Sequence, residues 1–116
     1  MDILGTSLRV CVDDLDAAVP AYERLASAEA VRFQQGPVAV AAGGPVFLMS
    51  GPGGHLAVLR KVTATLAVKD VDEAVHDLVE VGAEIVAGPS RTPIGRNLIA
   101  RHPDGSFFEY VDRQGG

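Results

Sequence analysis

The chain has 116 residues, the size of one ordinary domain, and 47% of them are hydrophobic, enough for a packed core and too many for a disordered segment. A formal net charge of -5, basic residues scattered without a run, and only 5% aromatic residues argue against a nucleic-acid surface or a base-stacking platform. No apolar run approaches the roughly 20 residues that span a bilayer, Met1–Gly5 lacks the basic and apolar regions of a signal peptide, and the single cysteine, Cys11, leaves no internal disulfide or cysteine-rich zinc site. The expectation is a cytoplasmic protein without nucleic-acid or membrane partners.

Ser7–Val12 alternates and is rich in branched residues, which predicts a strand. Asp13 or Asp14 suits a helix N-cap, Asp16 adds negative charge to the first turn, and Leu15, Val19, Tyr22 and Leu25 or Ala26 fall on one helical face. Pro20 lies beyond the first turn of that helix and should distort it. Three short strands follow, at Val31–Gln34, Val38–Ala41 and Val46–Met49, separated by Gly36-Pro37 and Gly43-Gly44-Pro45. Ser50–Lys61 reads as a connector whose Leu56–Leu59 stretch either packs on the surface or docks as an arm.

Beyond it, Val62–Val68 is a strand, Asp70 a cap, and Val71, Val75, Leu78 and Val79 an apolar helical stripe closed by Gly82 in the left-handed position. Ala83–Ala87 is a strand ended by Gly88-Pro89. Asn97–Arg101 and Phe107–Val111 are two more, joined by the turn Pro103-Asp104-Gly105-Ser106.

The pattern is written twice. "LRVCVDDLDAAV" (Leu8–Val19) matches "ATLAVKDVDEAV" (Ala64–Val75), and "GGPVFLM" (Gly43–Met49) parallels "DGSFFEY" (Asp104–Tyr110). Each copy is β-α-β-β-β. The fold class is therefore α+β: two such modules, 5–50 and 62–113, joined by connector 51–61 in a single domain. Curved mixed sheets surround a concave cavity, and one helix lies on the outer face of each module. Alternation sends Leu8, Val10 and Val12 to the helix side and Ser7, Arg9 and Cys11 to the concave side. Likewise Ala64, Leu66 and Val68 face the helix, leaving Thr63, Thr65 and Ala67.

V-x-D-[LV]-D-x-A in both halves and the closing "HPDGSFFEYV" resemble the vicinal oxygen chelate superfamily of glyoxalase I, bleomycin-resistance proteins and extradiol dioxygenases. The resemblance covers nearly the whole chain. Metal-using relatives place four ligands, usually His or Glu, on the first and last strand of each module. Carried over by motif, these positions are Ser7, Leu48, Thr63 and Glu109. Only Glu109 is a competent ligand, and one carboxylate with two hydroxyls binds zinc, iron or nickel weakly. No cofactor is expected, and a divalent metal is disfavoured. The superfamily often pairs or swaps modules between chains, and Ser50–Lys61 would permit this, so a homodimer is expected.

The candidate ligand-binding residues are Ser7, Arg9, Cys11, Thr63, Thr65, Arg96, Phe107 and Glu109, with Glu109 the candidate catalytic group. Glu109 has three readings: a general base if buried among apolar residues, an ion pair with Arg9 or Arg101, or a solvated side chain at a sheet edge. Cys11 is either a thiol activated by Arg9 or a small buried hydrophobe. Arg96 or Asn97 in "PIGRN" could meet a polar ligand. His76 reads as solvated, His55 sits in the glycine-rich connector, and His102 belongs to the turn. "GGPVFLMSGPGGH" lacks the Gly-Lys-Ser/Thr ending and following helix of a phosphate loop. Two functions compete. One is a metal-free protein that holds an apolar or mixed small molecule in the cavity. The other is a lyase, isomerase or dioxygenase-like enzyme using Glu109 as metal ligand or base. A third reading is a dimeric domain whose concave faces bury each other.

Overall fold

The computed structural model describes residues 1–114 in full except for the side chain of Val58. Eight strands and three helices run in the order β1 (Ile3–Cys11), α1 (Leu15–Ala26), β2 (Val31–Gln35), β3 (Val38–Gly43), β4 (Val46–Ser50), α2 (Gly53–Leu59), β5 (Val62–Val68), α3 (Val71–Glu80), β6 (Glu84–Thr92), β7 (Gly95–Arg101) and β8 (Phe107–Asp112). The chain forms two compact units, Ser7–Lys61 and the segment from Val62 onward together with Met1–Thr6.

Both units are β-α-β-β-β and carry the same mixed sheet. In the first, the order is β2-β3-β4-β1, with β1 parallel to β4 and the other neighbours antiparallel. In the second it is β5-β8-β7-β6, with β5 parallel to β8 and the remaining pairs antiparallel. A strand cannot turn directly into a parallel neighbour, so a helix crosses over in each unit.

Helices α1 and α3 each start at an acidic cap. Asp14 accepts a hydrogen bond from the Ala17 N–H, and Asp70 accepts one from the Asp72 N–H. Under α1, Leu15 and Val19 bury against Ala41 and Leu48, with Val10, Val12 and Tyr22 at the margin. Under α3, Val71, Ala74 and Leu78 pack on Val68, Leu98, Ala100 and Tyr110, with Leu66, Ile85 and Phe108 beside them. Of the two residues whose spacing could complete the stripe, Leu25 is 80% exposed and Ala26 is half-buried. Gly82 adopts φ +87 and closes α3, with its N–H donating to the Val79 carbonyl.

Four features depart from the sequence reading. Helix α1 runs unbroken through Pro20, so the cost there is the one hydrogen bond that Pro20 cannot donate. Strand β1 starts at Ile3 rather than Ser7. Strand β6 continues through Gly88-Pro89 to Thr92, absorbing register shifts against β7 on the way. A Cβ at Gly88 would come within 2.6 Å of the Asn97 carbonyl oxygen, so this close approach requires glycine. The connector contains a seven-residue helix, α2, whose Leu56 is buried against Val38, Val40 and Met49 of its own unit. No helix is long and apolar enough to cross a membrane among the described residues.

Candidate functional site

In the unit from Val62 onward, α3 covers one face of the sheet. Leu66 and Val68 on β5, Leu98 and Ala100 on β7, and Phe108 and Tyr110 on β8 all belong to the cluster under it. Strand alternation therefore sends Thr65, Asn97, Ile99, Phe107, Glu109 and Val111 to the opposite face. Register brings them together: Thr65 pairs with Glu109, Ile99 with Glu109, and Asn97 with Val111.

The polar centre of this face is Glu109. Its Oε1 accepts a hydrogen bond from the Thr65 hydroxyl at 2.7 Å, and its Oε2 accepts one from the Asn97 side-chain amide at 3.0 Å. Both carboxylate oxygens thus have neutral donors from neighbouring strands, which fix the plane of the group. Thr65 is 1% exposed, while Glu109 and Asn97 are half-buried. Ile99, Phe107 and Val111, also half-buried, supply apolar surface beside it. A small molecule with one polar and one apolar part matches such a face.

Arg96 does not join this group. It sits on the α3 side of β7, paired in register with Asp112. Its Nη2 lies 2.8 Å from Asp112 Oδ2 and 3.1 Å from Asp70 Oδ1, and its Nη1 lies 3.0 Å from Asp72 Oδ2. Asp112 in turn accepts from the backbone N–H of Val71 at 2.8 Å and of Gln114 at 3.1 Å. Burial opposes the charge on Asp112, but Arg96 and these two N–H groups outweigh it and hold the carboxyl below its ordinary range. Asp112 and then Asp72 hold the Arg96 guanidinium well above its usual range. Of the two residues read as possible ligand contacts, Arg96 is thus held by three carboxylates at the α3 N-terminus, and Asn97 is the one hydrogen-bonded to Glu109. Leu98 and Ala100 carry the signal that could have shown this, because once they are core, Asn97 must point the other way.

Leu48, carried over as a ligand position, lies on the other face of its strand. It is 2% exposed inside the α1 cluster, on the wrong face for a ligand position. Register pairs Arg9 with Phe47, as it pairs Thr65 with Glu109, so the residue matching Glu109 in the first unit is Phe47. The turn before β4 is shorter than the turn before β8. Aligning the two segments on their glycines slips the strand by one residue, and one residue reverses the face.

The other candidates lie on three strands. Ser7, Arg9 and Cys11 are half-buried along β1, Thr63 is exposed on β5, and Phe107 is half-buried at the start of β8. Cys11 packs at the margin of the apolar cluster formed by Val38, Val40, Met49 and Leu56, which fits the small-hydrophobe reading. His102 stacks on Phe108 with ring centroids 4.4 Å apart, and its Nε2 lies 2.7 Å from the Tyr110 hydroxyl, on the α3 side of the sheet. Burial pushes the Tyr110 phenol up. His76 is exposed and pairs with Glu80 one turn on, at 3.3 Å. In the unit Ser7–Lys61, a groove of about 540 Å³ runs from the α1 N-terminus to β2 and β3, with Phe33, Ala39 and Val40 on its walls and Asp13, Asp16 and Arg32 at its rim.

No protein-family model matches the chain, and no curated protein matches it by sequence. Among solved structures, it is similar to an uncharacterized protein from Methanosarcina mazei, with 39% identity and a TM-score of 0.90 over 98% of this chain and 95% of that one. It is also similar to methylmalonyl-CoA epimerase from Mycobacterium tuberculosis, at 20% identity and a TM-score of 0.75 over 95% of this chain and 88% of that one. A variant of Streptomyces coelicolor methylmalonyl-CoA epimerase in complex with 2-nitronate-propionyl-CoA matches at 18% identity and a TM-score of 0.75, over 98% and 100% of the two chains.

Proposed function

Because the chain belongs to one family with the uncharacterized Methanosarcina mazei protein and shares the fold of the epimerases, which are vicinal oxygen chelate proteins, we propose that it binds a small organic molecule without a resident metal ion, on the face that carries Glu109. The observation that carries this reading is the carboxylate held by Thr65 and Asn97 between half-buried apolar side chains. A group fixed in this way accepts hydrogen bonds from a ligand at no further ordering cost, and the apolar neighbours take up the rest of the molecule.

Donor chemistry supports the metal-free part. By the resemblance, the superfamily's metal positions would correspond to Ser7, Thr63, Glu109 and, on the β1–β4 register, Phe47. Thr65 and Asn97 turn hydrogen-bond donors toward Glu109, whereas a divalent cation requires lone pairs. This set does not fit a zinc, iron or nickel centre, and no step is derived through one.

The fold of the epimerases favours one second reading, an isomerase in which Glu109 removes and returns a proton at a carbon beside a carbonyl. One experiment addresses both. A thermal-shift screen of small organic acids, thioesters and apolar natural products selects a ligand. Its affinity is then measured by titration calorimetry for the parent and Glu109→Gln, with and without EDTA. The proposal expects 1:1 binding, weakened about tenfold or more by the substitution, and unchanged by EDTA. Binding that ignores Glu109→Gln, or that EDTA abolishes, overturns it. Exchange of a ligand C–H in D2O that depends on Glu109 selects the isomerase.

A further inference from the structure

We infer that the Glu109 face selects its ligand by hydrogen-bond polarity: it takes a hydroxyl group on an apolar body and discriminates against carboxylates and proton-free oxygens of the same shape. The inference rests on the reading of that face as the ligand site and names the chemical class it would hold.

The protons around Glu109 are already assigned. An ionised carboxylate accepts hydrogen bonds and never donates them, so any further partner of Glu109 must be a donor. Thr65 carries a single hydroxyl proton, and the 2.7 Å contact with Oε1 uses it. The 3.0 Å contact between Asn97 Nδ2 and Oε2 fixes the orientation of that amide. A carboxylate oxygen pairs with the nitrogen end, so Oδ1 is the end turned away from Glu109. Glu109 and Asn97 Oδ1 are thus neighbouring acceptors, and the second N–H of Asn97 is the donor left beside them. A hydroxyl suits both kinds of group: its proton goes to an acceptor, and its lone pairs take that N–H. An ammonium group satisfies the acceptors but offers the N–H nothing.

The backbone does not alter this balance. Strand β8 lies between β5 and β7, and its N–H groups point along the sheet into those ladders, not toward a ligand above the face. Alternation also puts Arg101 on this face of β7, but its Nη2 lies 2.9 Å from Oε2 of Glu84, its partner in register on β6. A ligand carboxylate would compete with Glu84 for Arg101 and would meet Glu109 with no proton between the two anions. Acceptor against acceptor leaves both groups unsatisfied, and sites built for a hydroxyl reject the analogue without one for that reason. The apolar body has its own place. Ile99 stands opposite Glu109 in register, and Phe107 and Val111 flank Glu109 along β8, all half-buried.

Four probes share one apolar body: para-propylphenol, para-propylanisole, para-propylbenzoate and para-propylbenzylammonium. Amide chemical shifts in NMR titrations at neutral pH give the affinity and locate the site, and urea-unfolding midpoints control for folding. In the parent, the phenol binds 1:1, about tenfold or more tighter than each of the other three, and shifts the amides of 97–99 and 107–111. In Glu109→Gln, whose amide presents N–H groups as well as an oxygen, the lead of the phenol over the anisole falls below about threefold. Anisole or benzoate bound at those amides as tightly as the phenol overturns the polarity inference and leaves the face standing as a ligand site. Tighter binding of the ammonium overturns the choice of a hydroxyl. If none of the probes shifts those amides, or if binding ignores Glu109→Gln, the face is not the ligand site and the inference falls with it. Should Glu109→Gln fail to fold, the order of the four affinities in the parent decides.

Discussion

Removing the Asp112 carboxylate tests how the Glu109 face is held in place. Its side chain is fully buried and joins three elements: Arg96 on β7, the Val71 N–H that starts α3, and β8 itself. In Asp112→Ala, the Val71 N–H loses its acceptor at a residue that is 0% exposed. An orphaned buried donor costs about 1–3 kcal/mol, and the hydrogen bonds lost from the charged Arg96 cost about 1.5–3 kcal/mol more. Arg96 keeps Asp70 and Asp72, so no cation is stranded. The expected total is about 3–5 kcal/mol, a large share of the roughly 5–15 kcal/mol available to such a domain. Asp112→Asn retains an acceptor for Val71 and should cost about half as much. Urea unfolding followed by circular dichroism measures both, with a shifted midpoint at constant slope. The sign with pH is also fixed. The carboxyl is held below its unfolded value of 3.8, so its contribution is present above that pH and is lost as pH falls through the folded value. The gap between parent and Asp112→Asn therefore closes below about pH 4. A loss under about 1 kcal/mol in Asp112→Ala at neutral pH would refute the argument and reduce the network to a surface ion pair.

Three further outcomes are expected. Leu98→Ala, at a position 1% exposed under α3, lowers the unfolding free energy by about 2–5 kcal/mol in the same assay. Gly95→Ala costs about 3 kcal/mol or more, or blocks folding, because a Cβ there would sit 1.9 Å from the Asp112 carbonyl oxygen; soluble expression and the melting temperature report this. Thr65→Val removes a hydrogen bond of 2.7 Å without changing side-chain volume, so it costs about 1–2 kcal/mol of stability and weakens ligand affinity in calorimetry by loosening Glu109.

The fold was legible because its signals are local and repeated. Asp14 and Asp70 cap their helices, Gly82 takes the left-handed position, and Val71, Val75 and Leu78 lie where their spacing puts them, whereas Val79, read on the same stripe, is 59% exposed. The site was legible only in part. Glu109 and Thr65 follow from alternation, but Leu48 was laid on the wrong face of β4, and the choice between Arg96 and Asn97 stayed open because the strand was read from Asn97 and no face was fixed for either. For Leu48 the cause is that a period of two turns a single-residue shift into a reversal, and turn lengths are less regular than the strands they join. Helix α2 was hidden for another reason. Its glycines argue for a loop, and only the apolar surface of β3 and β4 overrides them. The extension of β6 past Gly88-Pro89 likewise depends on pairing with β7, which no local pattern announces.

The central claim is that Glu109 serves an organic ligand and not an ion. Equilibrium dialysis of the purified parent and of Glu109→Gln against micromolar zinc, manganese, cobalt and nickel, followed by elemental analysis, gives bound metal per chain. The account predicts substoichiometric metal that does not change with the substitution. One ion retained per parent chain and lost in Glu109→Gln would contradict it.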